Sequence, residues 1–149
     1  ALRSKPVRRL AAQTWEYLRL GHSVPDDSSV QAVLAVNAEA RRGERVFLAA
    51  CSRFWLRPDL LETVNRTADA PAGATTGERW ARLYERGFRY VVWDPRTHPL
   101  VGQYLGLSGV QPRSATDGLT VEVLYSGDHG RAFRLRQGAH SGKAREEPK

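Results

Sequence analysis

The spacing of apolar and polar positions predicts two helices in the first third of the chain. A first amphipathic helix is expected over Pro6–Leu20, with Gly21 at its end. A second helix is expected over Ser29–Arg42, because Ser28 and Gln31 have the spacing of a capping box. The chain therefore begins with a helical layer.

Two later runs are apolar on both faces, Arg45–Cys51 and Arg89–Asp94. Such runs are typical of central strands that are covered on both sides. Between them, Thr75 and Glu78 form a capping-box pair that opens a helix ending at Arg86. Strand, helix and strand in this order predict parallel pairing through a right-handed crossover.

The last third of the chain carries the pattern of a β-hairpin. Leu119–Ser126 alternates between apolar and polar residues, Gly127–Gly130 has turn composition, and Arg131–Gln137 alternates again. Arg53–Leu56 is expected to be a short extended piece, and residues 95–118 are expected to be irregular apart from a short helix or packing loop around Val101. The side chains of the hairpin that are expected to point inward are Val121, Val123, Tyr125, Phe133 and Leu135.

Together these elements predict an α/β fold. It consists of a small sheet with central parallel strands, a crossover helix, N-terminal helices and a C-terminal antiparallel hairpin. A single domain is expected over residues 1–137, with a basic edge at residues 1–9. Residues 138–149 contain no apolar anchor and are expected to be a disordered tail.

Composition excludes several classes of protein. The chain has 149 residues, of which 41% are hydrophobic and 26% are charged, as in ordinary globular domains. The single cysteine, Cys51, excludes an intrachain disulfide and a Cys-rich zinc site, and it is expected to be a buried, inert thiol. No apolar run reaches the ~18 residues of a membrane span. The absence of methionine suggests that the chain is part of a longer protein.

The net charge of +7 is concentrated at the two ends of the chain. Residues 43–94 carry eight basic and seven acidic groups, whereas Arg3, Lys5, Arg8 and Arg9 alone contribute four positive charges. A nucleic-acid module usually concentrates its charge on one structured face, so nucleic acid is not the expected partner. A basic terminal segment equally fits the surface of an anionic membrane, and its charge also aids solubility.

Polar residues that follow the two central strands are the candidates for ligand binding. The carboxyl ends of parallel strands are the usual ligand site in open α/β sheets, and here they bring Cys51, Ser52 and Arg53 beside Asp94 and Arg96. A phosphate or a sugar could bind there; alternatively, Asp94 caps the next turn and pairs with Arg53. The candidate ligand-binding residues are Ser52, Arg53, Arg57 and Asp94.

No catalytic residue, metal site or cofactor is predicted. The histidines lie in predicted loops or in the tail, without the spacing of metal ligands. The glycines of residues 102–109 do not stand between a strand and a helix start, as a phosphate-binding loop requires. The aromatic residues expected in the core are Trp15, Trp80, Tyr84 and Trp93. Phe54, Trp55 and Tyr104 are the candidates for exposed stacking platforms, but core packing is the favoured interpretation of the aromatic residues.

The order of several short segments resembles a known family. The segments are Tyr17-Leu18 with Gly21, Pro25-Asp26-Asp27, a helix containing Asn37, residues 43–48, Arg53-Phe54-Trp55-Leu56, residues 85–94 and the hairpin ending at residues 131–135. In this order the chain resembles the soluble C-terminal part of bacterial multi-spanning (GT-C type) membrane glycosyltransferases, similar to the dolichyl-phosphate-mannose-protein mannosyltransferase class. The resemblance spans roughly residues 10–137 and depends on order and spacing.

The resemblance implies a non-catalytic domain on the extracytoplasmic side of the bacterial cytoplasmic membrane. The parent enzyme would use a polyprenyl-phosphate-linked sugar, with its catalytic carboxylates elsewhere in the polypeptide, and this domain would position acceptor or donor. Its partners would be the transmembrane part of the same polypeptide, the lipid-linked sugar or acceptor, and the membrane surface. The basic residues 3–9 by themselves would favour the cytoplasmic side. The alternative is a free-standing α/β module that binds a nucleotide, a sugar phosphate or another anion.

Overall fold

The computed structural model describes residues 12–63, 75–107, 114–116 and 118–137, so the predicted basic edge and C-terminal tail lie outside the described residues. The helices are α1 (Ala12–Arg19), α2 (Ser28–Glu39), α3 (Thr76–Glu85) and α4 (Pro99–Leu105). The strands are β1 (Arg45–Ala49), β2 (Leu61–Thr63), β3 (Phe88–Trp93), β4 (Ser114–Thr116), β5 (Leu119–Ser126) and β6 (Arg131–Gln137). None of the helices within these ranges has the length and apolar character needed to cross a bilayer.

The strands form one mixed sheet in the order β2-β1-β3-β6-β5-β4. β1 is parallel to both of its neighbours, β2 and β3. Along the chain, α3 lies between β2 and β3. β6 pairs antiparallel with β3 and with β5, and β4 continues the antiparallel half. The predicted α/β fold, with parallel central strands and a C-terminal hairpin, is confirmed.

The core consists of two layers, one on each face of the sheet. Val46 and Leu48 of β1 pack on one face with α2, whereas Phe47 and Ala49 pack on the other face with residues of α3 and α4. All four side chains are at most 1% exposed. Burial on both sides accounts for the uninterrupted apolar sequence of this strand.

Two β-bulges change which side chains face which layer. Arg45 pairs with Phe88 and Val46 with Tyr90, so the intervening Arg89 has no partner in β1. A second irregularity falls between Val123 and Tyr125. Because a bulge adds one residue, it reverses the alternation beyond it. The prediction that Tyr125 shares a face with Val121 and Val123 is therefore wrong: the two valines pack in one core layer and Tyr125 in the other.

Several local predictions are wrong where tertiary contacts outweigh the sequence pattern. Residues 53–56 are not extended, because Arg53–Trp55 forms a single 3-10 turn. α2 ends at Glu39, three residues before Arg42. The edge strands β2 and β4 have only three residues each, too short for alternation to reveal them.

The exposure of Trp15 and of the cysteine differs from expectation, whereas the three platform candidates pack in or against the core. Trp15 is 45% exposed on α1, whereas Trp55 is 5% exposed and belongs to the core. Tyr104 and Phe54 are half-buried rather than free platforms. Cys51 is exposed, because β1 already ends at Ala49 and the next residues turn away from the sheet.

Arginine is used extensively within the fold. Among the described residues, guanidinium groups lie over aromatic rings in four pairs, and the shortest distance is that of Arg89 over Tyr84, 3.7 Å from the ring centroid. The same Arg89 donates to the Tyr84 carbonyl oxygen, and Arg79 both covers the Tyr104 ring and donates to the carbonyl oxygen of that residue. The other two stacked pairs are Arg45 with Phe88 and Arg131 with Trp93. These contacts give much of the arginine content a structural role.

Gly102 allows α4 to pack directly on Trp93. A Cβ atom at this position would lie 2.2 Å from Cζ2 of the Trp93 indole, inside any real contact distance. The indole N–H of Trp93 donates to the His98 carbonyl oxygen at 2.8 Å, which fixes the ring against the start of α4. Glycine is thus required here for helix packing and not for phosphate binding.

We expect Gly102→Ala to destabilise the protein by about 1–3 kcal/mol, because the added methyl group overlaps the Trp93 ring. At a solvent-exposed position inside a helix, the same change would stabilise the protein by about 1 kcal/mol. The sign of the change in unfolding free energy therefore shows whether Gly102 is packed against Trp93. Urea unfolding followed by circular dichroism measures it. Gln103→Ala, at the exposed neighbouring position, is the control and should change the free energy of unfolding by less than about 0.5 kcal/mol. A stabilised Gly102→Ala protein would contradict the packing described here.

Candidate functional site

A small cleft of about 220 Å³ lies at the carboxyl ends of β1 and β3. The N-terminal end of α2, the segment after β1 and the segment after β3 each contribute residues to it. The polar side chains that line it belong to Asp27, Ser29, Ser52, Asp94, Arg96 and Thr97, with Cys51 alongside. This is the edge of the sheet where parallel strands were expected to present a ligand site.

Arg96 joins the two carboxylates of the cleft. Its Nη2 lies 2.8 Å from Oδ2 of Asp94 and 3.2 Å from both carboxylate oxygens of Asp27, and its Nε donates to Oδ1 of Asp94 at 3.1 Å. Asp94 is 2% exposed, whereas the Arg96 side chain is 43% exposed. The bridge connects residues that are 69 positions apart, so it holds the start of α2 against the end of β3.

Asp94 also caps the turn that follows β3. Its Oδ1 accepts from the Arg96 backbone N–H at 2.9 Å, and its carbonyl oxygen accepts from the N–H groups of Thr97 and His98. The turn-capping alternative for Asp94 is therefore confirmed. Asp94 pairs with Arg96 and not with Arg53. The turn after β3 places the Arg96 guanidinium next to the Asp94 carboxylate.

Asp27 is the N-cap of α2, and the predicted capping box of Ser28 and Gln31 is wrong. Oδ1 of Asp27 accepts from the Ser29 N–H at 2.7 Å. Ser28 Oγ instead accepts from the backbone N–H groups of His129 at 2.9 Å and Gly130 at 2.7 Å. The first residue of α2 therefore binds the turn of the C-terminal hairpin, a contact 101 positions away that no local pattern reveals.

Ser52 lies in the cleft as predicted and forms a buried pair with Ser29. Their hydroxyl oxygens are 3.0 Å apart, and each residue is 5% exposed. Ser52 Oγ also donates to the Ser29 carbonyl oxygen at 3.3 Å. The pair connects the segment after β1 to the first turn of α2, and it gives the cleft two hydroxyl groups that both donate and accept.

Arg57 is structural and does not belong to the cleft. It is 1% exposed, and its Nη1 donates to the carbonyl oxygens of Asn37 at 2.8 Å and Ala40 at 2.6 Å, at the C-terminal end of α2. Its Nε donates to Asp59 at 2.9 Å. The Asn37 side chain forms two more hydrogen bonds to the same segment. Its Oδ1 accepts from the Arg57 backbone N–H, and its Nδ2 donates to the Trp55 carbonyl oxygen. Buried arginine is satisfied here by the helix end and one carboxylate.

Arg53, the fourth predicted residue, lines a different cavity. This second cavity has a volume of about 670 Å³ and lies beside the 3-10 turn, α1 and the segment before β2. Its lining includes Arg53, Arg57, Gln13 and Phe54. Of the four predicted residues, Ser52 and Asp94 therefore line the cleft. Arg53 and Arg57 line the second cavity instead.

Asp27 is an unpredicted residue of the cleft, and Arg96, although expected beside Asp94, is absent from the predicted binding set. Each has a local signal in the sequence. Asp27 is a carboxylate directly before a helix, and Arg96 follows the strand-end Asp94 by two residues. Their meeting depends on how α2 lies across the sheet, so the sequence alone does not reveal it.

The histidines near this edge of the sheet influence the cleft without forming a metal site. Burial lowers the pKa of His98, against the opposing effect of the Asp94 charge, and its Nδ1 lies 2.7 Å from the Thr97 hydroxyl. His129 is close enough to Asp94 for its charge to lower the pKa of that carboxyl. Among the described residues, no group of three or more His, Cys, Asp or Glu side chains could hold a metal ion.

The charges of the cleft favour a hydroxyl-bearing ligand over an anion. Two carboxylates face one guanidinium, and the N-terminal end of α2 is already capped by Asp27. A phosphate group can only accept hydrogen bonds at these partners and is repelled by both carboxylates. A hydroxyl group can donate to a carboxylate and accept from Arg96 or from a serine.

Comparisons of the chain with protein families, with curated proteins and with solved structures find no match. The chemistry of the cleft and the order of segments along the sequence are therefore the basis for its functional interpretation.

We expect Arg57→Met to lower the free energy of unfolding by about 3–5 kcal/mol, because it removes the buried cation that donates to Asp59 and to two helix-end carbonyl groups. Arg53→Met, at the exposed neighbouring arginine, should cost less than about 1 kcal/mol. Chemical denaturation of the two variants measures the difference. Should Arg57→Met not fold, Arg57→Lys still tests the assignment, since it keeps the charge but loses the paired geometry. Equal effects of the two methionine variants would contradict the structural role of Arg57.

Asp94 should make stability depend on pH in the acid range. Burial of Asp94 acts to raise its pKa, but the hydrogen bonds from Arg96 outweigh burial and hold that pKa below its usual value. A lowered pKa in the folded state stabilises the protein above the ordinary carboxyl range of about 4, and this contribution is lost as the pH falls further.

We therefore expect Asp94→Asn to be less stable than the parent by about 2 kcal/mol at pH 7, and this gap should shrink toward pH 2–3. Denaturant unfolding at several pH values measures the gap. Asp26→Asn, at an exposed carboxylate next to Asp27, should differ from the parent by less than about 0.5 kcal/mol throughout. A gap for Asp94→Asn that grows as the pH falls would show that the sign is wrong.

Proposed function

We propose that this chain is a non-catalytic domain of a bacterial membrane glycosyltransferase that uses a polyprenyl-phosphate-linked sugar. In this proposal the domain lies on the extracytoplasmic side of the cytoplasmic membrane, where it contacts the membrane-embedded part of the same polypeptide. Its cleft at the ends of β1 and β3 positions a hydroxyl-bearing portion of the acceptor or of the lipid-linked donor.

The observation that carries the proposal is the convergence of the segments behind the family resemblance. Asp27 of the Pro-Asp-Asp segment caps α2 in the cleft, Asp94 ends the segment of residues 85–94, and Arg96 bridges the two carboxylates. Phe54 and Trp55 of the Arg-Phe-Trp-Leu segment also line the cleft. Segments that are far apart in sequence thus meet around one polar cavity, as expected of segments with a shared binding role.

The chemical character of the cleft supports a sugar-like ligand. Two serines, two carboxylates and a half-exposed guanidinium line a cleft of about 220 Å³. This mixture of donors and acceptors matches the alternating donor and acceptor capacity of neighbouring hydroxyl groups on a sugar ring. A half-buried aromatic ring, Phe54, provides an apolar wall.

A second candidate is a module that binds a nucleotide, a sugar phosphate or another anion. The observation in its favour is the larger cavity, about 670 Å³, which has Arg53 in its lining. That volume is within the range of small-molecule sites, and an arginine can contact a phosphate through two N–H groups. The two candidates differ in the charge of the ligand and in the cavity that it occupies.

Sugar transfer by membranes that contain the full-length protein tests the proposal. We expect transfer from a radiolabelled polyprenyl-phosphate sugar, and we expect Asp94→Asn to raise KM about tenfold with kcat within about twofold, the pattern of lost binding. Glu85→Gln removes an exposed carboxylate on α3 and is the matched control, with unchanged KM. Absence of transfer would contradict the glycosyltransferase, and an unchanged KM in Asp94→Asn would contradict the positioning role.

Cys51 provides a second readout on the 149-residue chain itself, because it is the single cysteine and lies exposed beside the cleft. Methyl α-D-mannoside at millimolar concentration should slow alkylation of Cys51 at least about twofold, since a bound sugar shields the thiol. The protection should disappear in Asp94→Asn and persist in Glu85→Gln. Stronger protection by mannose 1-phosphate than by the neutral glycoside would contradict the preference of the cleft for a neutral, hydroxyl-bearing ligand.

A further inference from the structure

Phe54 borders both of the cavities described above. It lines the cleft together with Ser52 and Asp94, and it lines the larger second cavity together with Leu56 and Leu60. Within the described part of the chain, Phe54 is the one lining residue that the two cavities share. A ligand that lies along Phe54 can therefore place one end in each cavity.

The local backbone explains why neighbouring residues line different cavities. Arg53–Trp55 forms a single 3-10 turn, in which successive side chains point about 120° apart. Ser52, directly before the turn, lines the cleft, Arg53 lines the second cavity, and Phe54 lines both. The cleft and the second cavity are thus neighbours on two sides of one turn.

Contacts on several sides fix Phe54 in this position. Thr14 of α1 is fully buried and donates its hydroxyl hydrogen to the Phe54 carbonyl oxygen. The Phe54 ring packs edge-on against Tyr17 and Trp55, with ring centroids 5.7 Å and 5.2 Å away. Because its backbone and its ring are both held, Phe54 is a preformed wall, and a ligand binds against it without rearranging the turn.

The second cavity has an apolar floor. Leu56 and Leu60 are only 6% and 5% exposed and belong to the hydrophobic core, so the cavity reaches down to core side chains. Phe54 and Pro58 add further apolar surface to its lining. An apolar chain that enters this cavity displaces water from apolar surface, which favours binding.

The polar residues of the second cavity do not oppose an apolar ligand. The buried Arg57 guanidinium donates to Asp59 and to two helix-end carbonyl oxygens, so its charge is already compensated. Arg53 and Gln13 are exposed, and their polar ends can stay in water beside a bound chain. No carboxylate is among the described residues that line this cavity, in contrast to the two that line the cleft.

We propose that the cleft and the second cavity together bind one amphiphilic glycoside, with its sugar in the cleft and its apolar chain in the second cavity. The chain passes along Phe54 and covers Leu56 and Leu60. The volume of the second cavity, about 670 Å³, is within the range of small-molecule sites. This inference rests on the proposed function and deepens it, because it selects a lipid-linked sugar as the ligand over a free sugar or a soluble acceptor.

Protection of Cys51 by glycosides of different chain length tests the inference on the 149-residue chain. Cys51 lines the cleft and not the second cavity, so its alkylation reports on the sugar end of the ligand. Hexyl α-D-mannoside should protect Cys51 at a concentration at least about tenfold lower than methyl α-D-mannoside, a gain that needs burial of about two of the added methylene groups. Hexanol added separately to methyl α-D-mannoside should not reproduce this gain, because it depends on the covalent link between chain and sugar.

Variants in the second cavity should remove the effect of the chain and keep the effect of the sugar. Leu60→Ser makes part of the floor polar, and Pro58→Glu places a carboxylate on the exposed part of the lining without a change in the core. In either variant we expect the two glycosides to protect Cys51 at concentrations within about twofold of each other, with methyl α-D-mannoside acting as on the parent. Should Leu60→Ser not fold, Pro58→Glu still tests the cavity.

Controls outside both cavities should behave as the parent does. Gln103→Glu adds the same charge at an exposed position of α4, and Leu100→Ser removes a leucine that is 59% exposed. Asp94→Asn should weaken protection by both glycosides alike, since it changes the part of the site that holds the sugar.

Equal protection by the two glycosides, or a chain-length gain that persists in Leu60→Ser and Pro58→Glu, would overturn this inference and leave the proposed function standing. Absence of protection by either glycoside would contradict the role of the cleft and this inference with it. Release of bound hexyl α-D-mannoside by millimolar pyrophosphate would assign the second cavity to an anion and would also overturn the inference. A chain-length gain without sugar transfer by the full-length protein would support the two-part site and contradict the glycosyltransferase.

Discussion

Burial of β1 and β3 on both faces is the constraint on which the rest of the structure depends. Residues 46–49 of β1 and 90–93 of β3 direct apolar side chains to both faces and cannot leave either face in water, so the sheet needs a helical layer on each side. α2 covers one face, and α3 with α4 covers the other. Once these layers are in place, the connections after β1 and β3 must leave the sheet at the same edge as the N-terminal end of α2. The cleft is a direct consequence of that arrangement.

Buried polar groups then fix how the layers meet. Arg57 and Asn37 connect the C-terminal end of α2 to the segment after the 3-10 turn, and Ser29 with Ser52 connects its N-terminal end to the segment after β1. Because an unpaired polar group in the core would cost several kcal/mol, each of these contacts restricts α2 to one position. Arg96 adds a third connection at the rim, where partial exposure leaves the guanidinium able to meet a ligand.

The parts of the fold that could be predicted are those with a strong local signal. β1 and β3 follow from their unbroken apolar runs, and the capping box of Thr75 and Glu78 is present in both directions. The site was predictable to the extent that strand ends define it, and Ser52 and Asp94 do line the cleft. The partners of these residues were not predictable. Asp94 pairs with Arg96 because the intervening turn brings the two side chains together. The helix-end carbonyl groups that accept from Arg57 lie about twenty positions before it in the sequence.

The sequence by itself determined the class of fold, the central strands, the hairpin and the edge of the sheet where polar residues collect. Periodicity and caps encode these features within a few neighbouring residues. Only the tertiary structure decided which side chains meet: Ser28 with the hairpin turn, Asp27 with Asp94 through Arg96, and Trp15 with solvent instead of core. The two bulges show the physical reason. A single added residue reverses the face of every later side chain, and whether it is added depends on the pairing of neighbouring strands.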